Sequence, residues 1–151
     1  MISVILYILS QSTTMLSIHN LTIEEVRQNY QLAVSNKNIC RSMISSLENN
    51  PRSAVEQAYC GAFQAIWANH TSNLGEKLST FNKGKKNIDA AAERSPKDIE
   101  IKFIRLSIQK SSPSLLGYKD KMKEDRSFIL NNKQKITSTL LSTMIDNLLK
   151  Q

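Results

Sequence analysis

A chain of 151 residues is long enough to bury a core, and four glycines with three prolines are too few for an all-β sandwich, which needs a turn roughly every ten residues. The formal charge of +7 is lopsided: residues 77–151 carry sixteen basic and eight acidic groups, residues 1–76 four and five. Such a basic half can face nucleic acid, anionic lipid or an acidic partner, or it can be a solvated Lys-rich helical surface.

Residues 2–9 read ISVILYIL, seven apolar of eight. That is too short to span a bilayer but suits the apolar region of a secretory signal, with Ser10 and Ser12 as a small-x-small pattern. No Lys or Arg precedes the run. Three readings stay open: a signal whose true start lies upstream, translation from Met15 with no signal, or an apolar N-terminal strand or helix packed on the core. The expected organisation is a signal peptide or apolar N-terminal segment over 1–17, then one α-helical domain over 20–151. The expected place is the periplasm or cell envelope, or the cytoplasm if translation starts at Met15.

The first secure helix follows Thr22, where T-x-x-E with Glu25 forms a capping box. Ile23, Val26, Tyr30 and Ala33 make its apolar stripe. A second helix is expected over 37–47, with Ile39, Met43 and Leu47 at helical spacing, and residues 48–51 (ENNP) break it. Ser53 can cap a third, whose Ala54, Ala58, Ala62 and Ala65 invite close packing. Residues 69–73 form a polar loop.

Leu74, Leu78 and Phe81 open a fourth helix that Pro96 stops. Phe81, Gly84, Ile88 and Ala91 share one face, so Gly84 should be buried against the helix of Ala58 and Ala62 or against that of Ile104. Asp98 marks the next helix start. IEIKFIRLSI partly alternates and is rich in isoleucine, as a strand would be. Helix is the expectation because no other stretch offers it a partner strand. Leu115, Leu116 and Tyr118 should pack back on the core. Further helices are expected over 119–130, with Met122, Asp125 and Ile129 on one face, and over 137–149. The fold class is therefore all-α, five to seven helices in stacked antiparallel hairpins.

The run Gly84-x3-Ile88-x2-Ala91-x4-Pro96 resembles the second helix of a tetratricopeptide repeat, which implies helical hairpins more than peptide binding. Residues 20–150 are also similar to small uncharacterised exported proteins of Bacteroidetes bacteria, through LTIEEVRQNY, FNKGKKNIDAA with SP, IEIKFIRLSIQ and LLGYKDKMKEDRSFIL. That resemblance implies an exported helical domain and brings no activity, cofactor or site.

Cys40 and Cys60 lie at equal distances from the break near Asn50. In an antiparallel hairpin they would share a level and could form a disulfide, closing a loop worth about 3 kcal/mol on the chain-entropy model. The alternative is two separate buried thiols. His19 and His70 lack partners at metal-ligand spacing and read as surface residues. Glu24-Glu25 and Glu124-Asp125 are helix neighbours that point apart. Asp125 falls on an apolar face and needs a cation, with Arg105 or Lys102 as suppliers. Lys83, Lys85, Lys86, Lys119, Lys121, Lys123 and Arg126 could contact a polyanion, although few aromatics stand among them for base stacking. Asn20 and Asn69 begin glycosylation tripeptides, relevant only to a eukaryotic secreted protein.

No catalytic or phosphate-loop motif occurs, and no cofactor is expected. The leading expectation is a non-enzymatic interaction or structural module of the bacterial cell envelope. Its partner would be a protein or an anionic envelope component, with no transmembrane helix after processing and with nucleic acid set aside by export. The alternatives are a cytosolic polyanion binder acting through the basic half, and an enzyme with an unrecognised site.

Overall fold

The computed structural model describes residues 20–151. The apolar run at 2–9, its signal reading, Met15 and His19 lie outside the described residues. Seven α-helices follow in order: α1 Ile23–Ala33, α2 Lys37–Leu47, α3 Ala54–Trp67, α4 Leu74–Arg94, α5 Ile99–Ser111, α6 Met122–Asn132 and α7 Thr139–Lys150, with 3-10 turns at Ser114–Leu116 and Lys133–Lys135. Among the described residues there is no strand.

The starts follow from capping. Thr22 and Glu25 close the box on α1, the Glu25 carboxylate accepting from Thr22 N at 2.7 Å. Asn36, Ser53, Asn73, Asp98 and Ser138 each accept a first-turn amide through the side chain, satisfying donors the helix leaves free. The isoleucine-rich stretch is helical because Asp98 caps it and because nearly its whole circumference is buried. A helix buried on every side has no polar face to reveal its period. Two starts differ from the sequence expectation. Gly117, at φ 61, turns the chain, and α6 begins at Met122 without a side-chain cap. Ser138 caps α7, which therefore begins at Thr139.

Successive contacts fix the helix directions. Gln57 meets Arg94 at 2.6 Å and Trp67 meets Glu76 at 2.8 Å, so α3 and α4 are antiparallel. Arg105 meets Asp125, and Lys102 lies over the Phe128 ring, so α5 and α6 are antiparallel too. Arg27 reaches Glu100 and Tyr30 reaches Ser107, so α1 and α5 run the same way. Ser138 approaches Glu24 at 3.4 Å and Lys110 Nζ donates to the Leu148 carbonyl at 3.1 Å, bringing α7 back parallel to α1 and α5.

α3 is the central helix, with eleven of its residues buried. Its Tyr59 and Phe63 stack edge-on with Tyr30, at 5.3 and 5.9 Å between centroids, and Phe103 stands 6.2 Å from Tyr30. The tightest crossing is between α3 and α4. A Cβ on Gly84 would press into the Gly61 carbonyl and stand 2.8 Å from Ala65 N. A Cβ on Gly61 would stand 2.5 Å from the Gly84 carbonyl and 2.9 Å from Ile88. Gly84 is buried on the helix that carries Ala58 and Ala62.

The segment after α5 corrects one expectation. Tyr118 is buried and Leu116 half-buried, but Leu115 is 96% exposed. The short 3-10 turn points successive side chains in different directions, so only some of the three apolar residues can face the core.

Candidate functional site

A concave, mainly apolar surface lies at one end of α3, where α4 enters and α5 leaves. There a cavity of about 290 Å³ opens to solvent. Ala65, Ile66 and Ala68 of the α3 end form its floor, with Phe81 and Ile108 as walls and Leu116 of the 3-10 turn across one side. Its mouth carries Leu74, Leu78 and Leu115, exposed by 70%, 44% and 96%. Among the described residues, three of the six exposed large hydrophobics thus gather at one opening, whereas scattered single ones would need no explanation. The architecture creates the space. Gly61 and Gly84 bring α3 and α4 together beside the groove, where Gly84 also meets Ala65 of its lining. Phe81 of α4 and the small Ala65 and Ala68 line the space next to that contact.

Lys77 is the charged residue in the lining. Among the described residues its ammonium has no carboxylate within ion-pair distance. Glu76, its neighbour, is committed elsewhere: its two oxygens accept from Trp67 Nε1 and Thr71 Oγ1, both at 2.8 Å. Those two donors hold the Glu76 carboxyl below its ordinary range. Asn69, Ser111 and Ser112 supply the polar rim, the Ser112 hydroxyl donating back to the Ile108 carbonyl at 2.5 Å.

The buried ionisable groups are occupied with one another. Asp125, fully buried, accepts from Arg105 Nε and Nη2, both at 2.7 Å, and Lys102 Nζ stands 3.4 Å away. The sequence named both cations, and the structure brings both to the one carboxylate. The Asp125 hydrogen bonds raise the Arg105 pKa. A second network escaped the sequence reading. Glu100 takes two bonds from Arg27, at 2.8 and 2.7 Å, and one from Tyr59 OH at 2.8 Å. Arg27 also holds Glu24, which approaches Ser138 of α7. The signal available was Glu100 inside an apolar run, which needs a cation as Asp125 does. Asp89 accepts from Tyr118 OH at 3.0 Å, and its pKa is raised by burial. Gln109 is fully buried, and its side-chain amide has no hydrogen-bond partner among the described residues.

Cys40 and Cys60 are both buried and both free. Cys40 Sγ donates to the Phe63 carbonyl at 3.2 Å. Lys37 and Arg41 lie over the Trp67 ring while Glu48, at the far end of α2, meets Gln64. α2 therefore packs on α3 in a shifted register that sets Cys40 against Phe63, so equal distance from the turn does not bring Cys40 and Cys60 to one level. Burial pushes both thiols up to about 11. His70 is half-buried, not a free surface residue: its Nε2 contacts the Ala33 carbonyl at 2.7 Å and its ring lies by Trp67. Among the described residues no group of three or more His, Cys, Asp or Glu could hold a metal ion.

The basic residues do not form one free surface. Lys83 pairs with Glu48, and Lys85 lies 5.1 Å over the Tyr118 ring. Lys121 pairs with Glu124 at 3.1 Å. Arg126 donates to the Leu149 carbonyl at 3.3 Å. Lys86 and Lys123 are exposed, Lys119 is half-buried, and these three carry no ion pair among the described residues. No helix among the described residues is long and apolar enough to cross a membrane. No family model, curated protein or solved structure matches the chain.

Proposed function

We propose that this protein is a non-enzymatic binding module of the bacterial cell envelope, and that the groove between α3, α4 and α5 is its working surface. The observation that carries the reading is the gathering of Leu74, Leu78 and Leu115 around a cavity of about 290 Å³. Exposing leucines costs solubility, and a lined cavity at the lower end of ligand-site volumes gives them a use. The interior carboxylates and guanidinium groups are engaged in fastening helices to one another, which supports a binding role over a catalytic one. The envelope assignment rests on the apolar run at 2–9, which suits the apolar region of a secretory signal.

The test is a titration of the full chain with a neutral fluorescent dye, 1-N-phenylnaphthylamine. Binding should raise its emission, and Leu74→Asp with Leu115→Asp should abolish the rise. Both positions are exposed, and an acid at the first position of α4 suits the helix dipole, so the variant should stay folded by circular dichroism. A folded variant that binds dye as well as the parent would remove the groove from the account. For the compartment, mass spectrometry of the mature N-terminus in fractionated cells decides: a cytosolic chain starting at Met15 contradicts the envelope assignment. The polyanion reading has less support, because Lys83, Lys85, Lys121 and Arg126 are already engaged within the fold.

A further inference from the structure

Resting on the groove reading, we infer that the occupant is a single-chain carboxylate amphiphile of the fatty-acid type, its chain in the cavity and its carboxylate on Lys77. The cavity has an apolar floor and walls in Ile66, Phe81, Ile108 and Leu116, a lining that an alkyl chain fills and a peptide backbone does not, since a backbone brings polar groups that need partners. The volume of about 290 Å³ admits one slender chain.

The charge at the mouth has one sign. Lys77 lines the cavity with no carboxylate within ion-pair distance among the described residues, and the one acid in its turn, Glu76, is held by Trp67 and Thr71. The first turn of α4 adds the positive end of a 21-residue helix at the same mouth. A half-buried lysine at an apolar rim, with no ion-pair partner among the described residues, is complementary to one negative headgroup. The stem of Lys77 can lie along the apolar wall while its head meets solvent or ligand. The remaining rim groups, Asn69 and Ser111, complete a polar collar.

The experiment compares dodecanoate, below its micelle concentration, with methyl dodecanoate as competitors for the neutral dye on the full chain. Each is run on the parent and on Lys77→Gln. The acid should compete about fivefold better than the ester on the parent, the scale of one partly screened ion pair. Lys77→Gln should erase that advantage and leave ester binding unchanged. Equal competition by acid and ester, or an advantage that survives Lys77→Gln, overturns the carboxylate assignment while dye binding keeps the groove reading intact. Failure of dye, acid and ester alike overturns both. Two further outcomes overturn the inference by naming another occupant: a dimer in sedimentation that Leu115→Asp dissociates, or a gain in dye binding when Ile5 and Leu6 are changed to Asp.

Discussion

Gly61 and Gly84 show how one absent methyl group can set a helix crossing. In most helices Gly→Ala stabilises by about 1 kcal/mol. Here the added Cβ meets backbone from either side, and backbone cannot step aside as a flexible side chain can. Gly84→Ala should therefore destabilise by about 1–3 kcal/mol, read as a lower urea midpoint; an unchanged or higher midpoint would show that the helices are not in this contact. The opposite sign is expected at Gln109. Its buried amide has no partner among the described residues, and an unsatisfied buried polar group costs about 1–3 kcal/mol. Gln109→Met, of similar length, should raise the midpoint. Gly84 was legible in the sequence because it sits on the stripe of Phe81, Ile88 and Ala91. Gly61 was not, because in a helix buried on all sides no stripe singles it out.

At the scale of elements, caps made the boundaries readable. Thr22, Ser53 and Asp98 announce their helices, and α1, α3 and α5 begin where those residues say. The sequence placed two starts too early: α6, which has no side-chain cap, by three residues, and α7, which Ser138 caps, by two. α6 is also thinly anchored, with Asp125 and Ile129 its buried residues. Removing the Asp125 carboxylate would leave Arg105 and Lys102 facing an empty partner, a loss of about 3–5 kcal/mol for a broken buried pair. Asp125→Ala should speed amide hydrogen exchange in α6 well before that of α3. Uniform acceleration across all helices would mean that α6 is not a separable unit. Asp125 with Arg105 was accessible to sequence reasoning because one carboxylate interrupts an apolar face. The Arg27–Glu100–Tyr59 network was not, because its members come from three helices whose adjacency no local pattern records.

At the scale of the whole molecule, burial makes the fold sensitive to alkali. Cys40 and Cys60 are raised from 9.0 to about 11, and Tyr30 from 10.0 to about 12, chiefly by desolvation. The folded state keeps these protons where the unfolded chain releases them. The unfolded state then binds fewer protons, and stability falls as pH rises. Stability from these groups is complete below pH 9 and lost progressively from about 9 to 12. The melting temperature should decline across that window, and a flat profile would contradict the burial of these groups. The groove belongs to this scale too. Leu74 and Leu78 lie one turn apart on α4, Leu115 follows α5 about forty residues later, and the sequence placed Leu115 in the core. Their meeting at one opening depends on the return of α5 past the α3–α4 hairpin.

The claim that this opening is where the protein binds is tested most directly by titrating the isotopically labelled full chain with dodecanoate and following its amide resonances. The account predicts shifts concentrated in residues 65–69, 74–81 and 108–116, with little change in α6 and α7. Shifts centred on the lysines of α6, or none anywhere at saturating ligand, would contradict it.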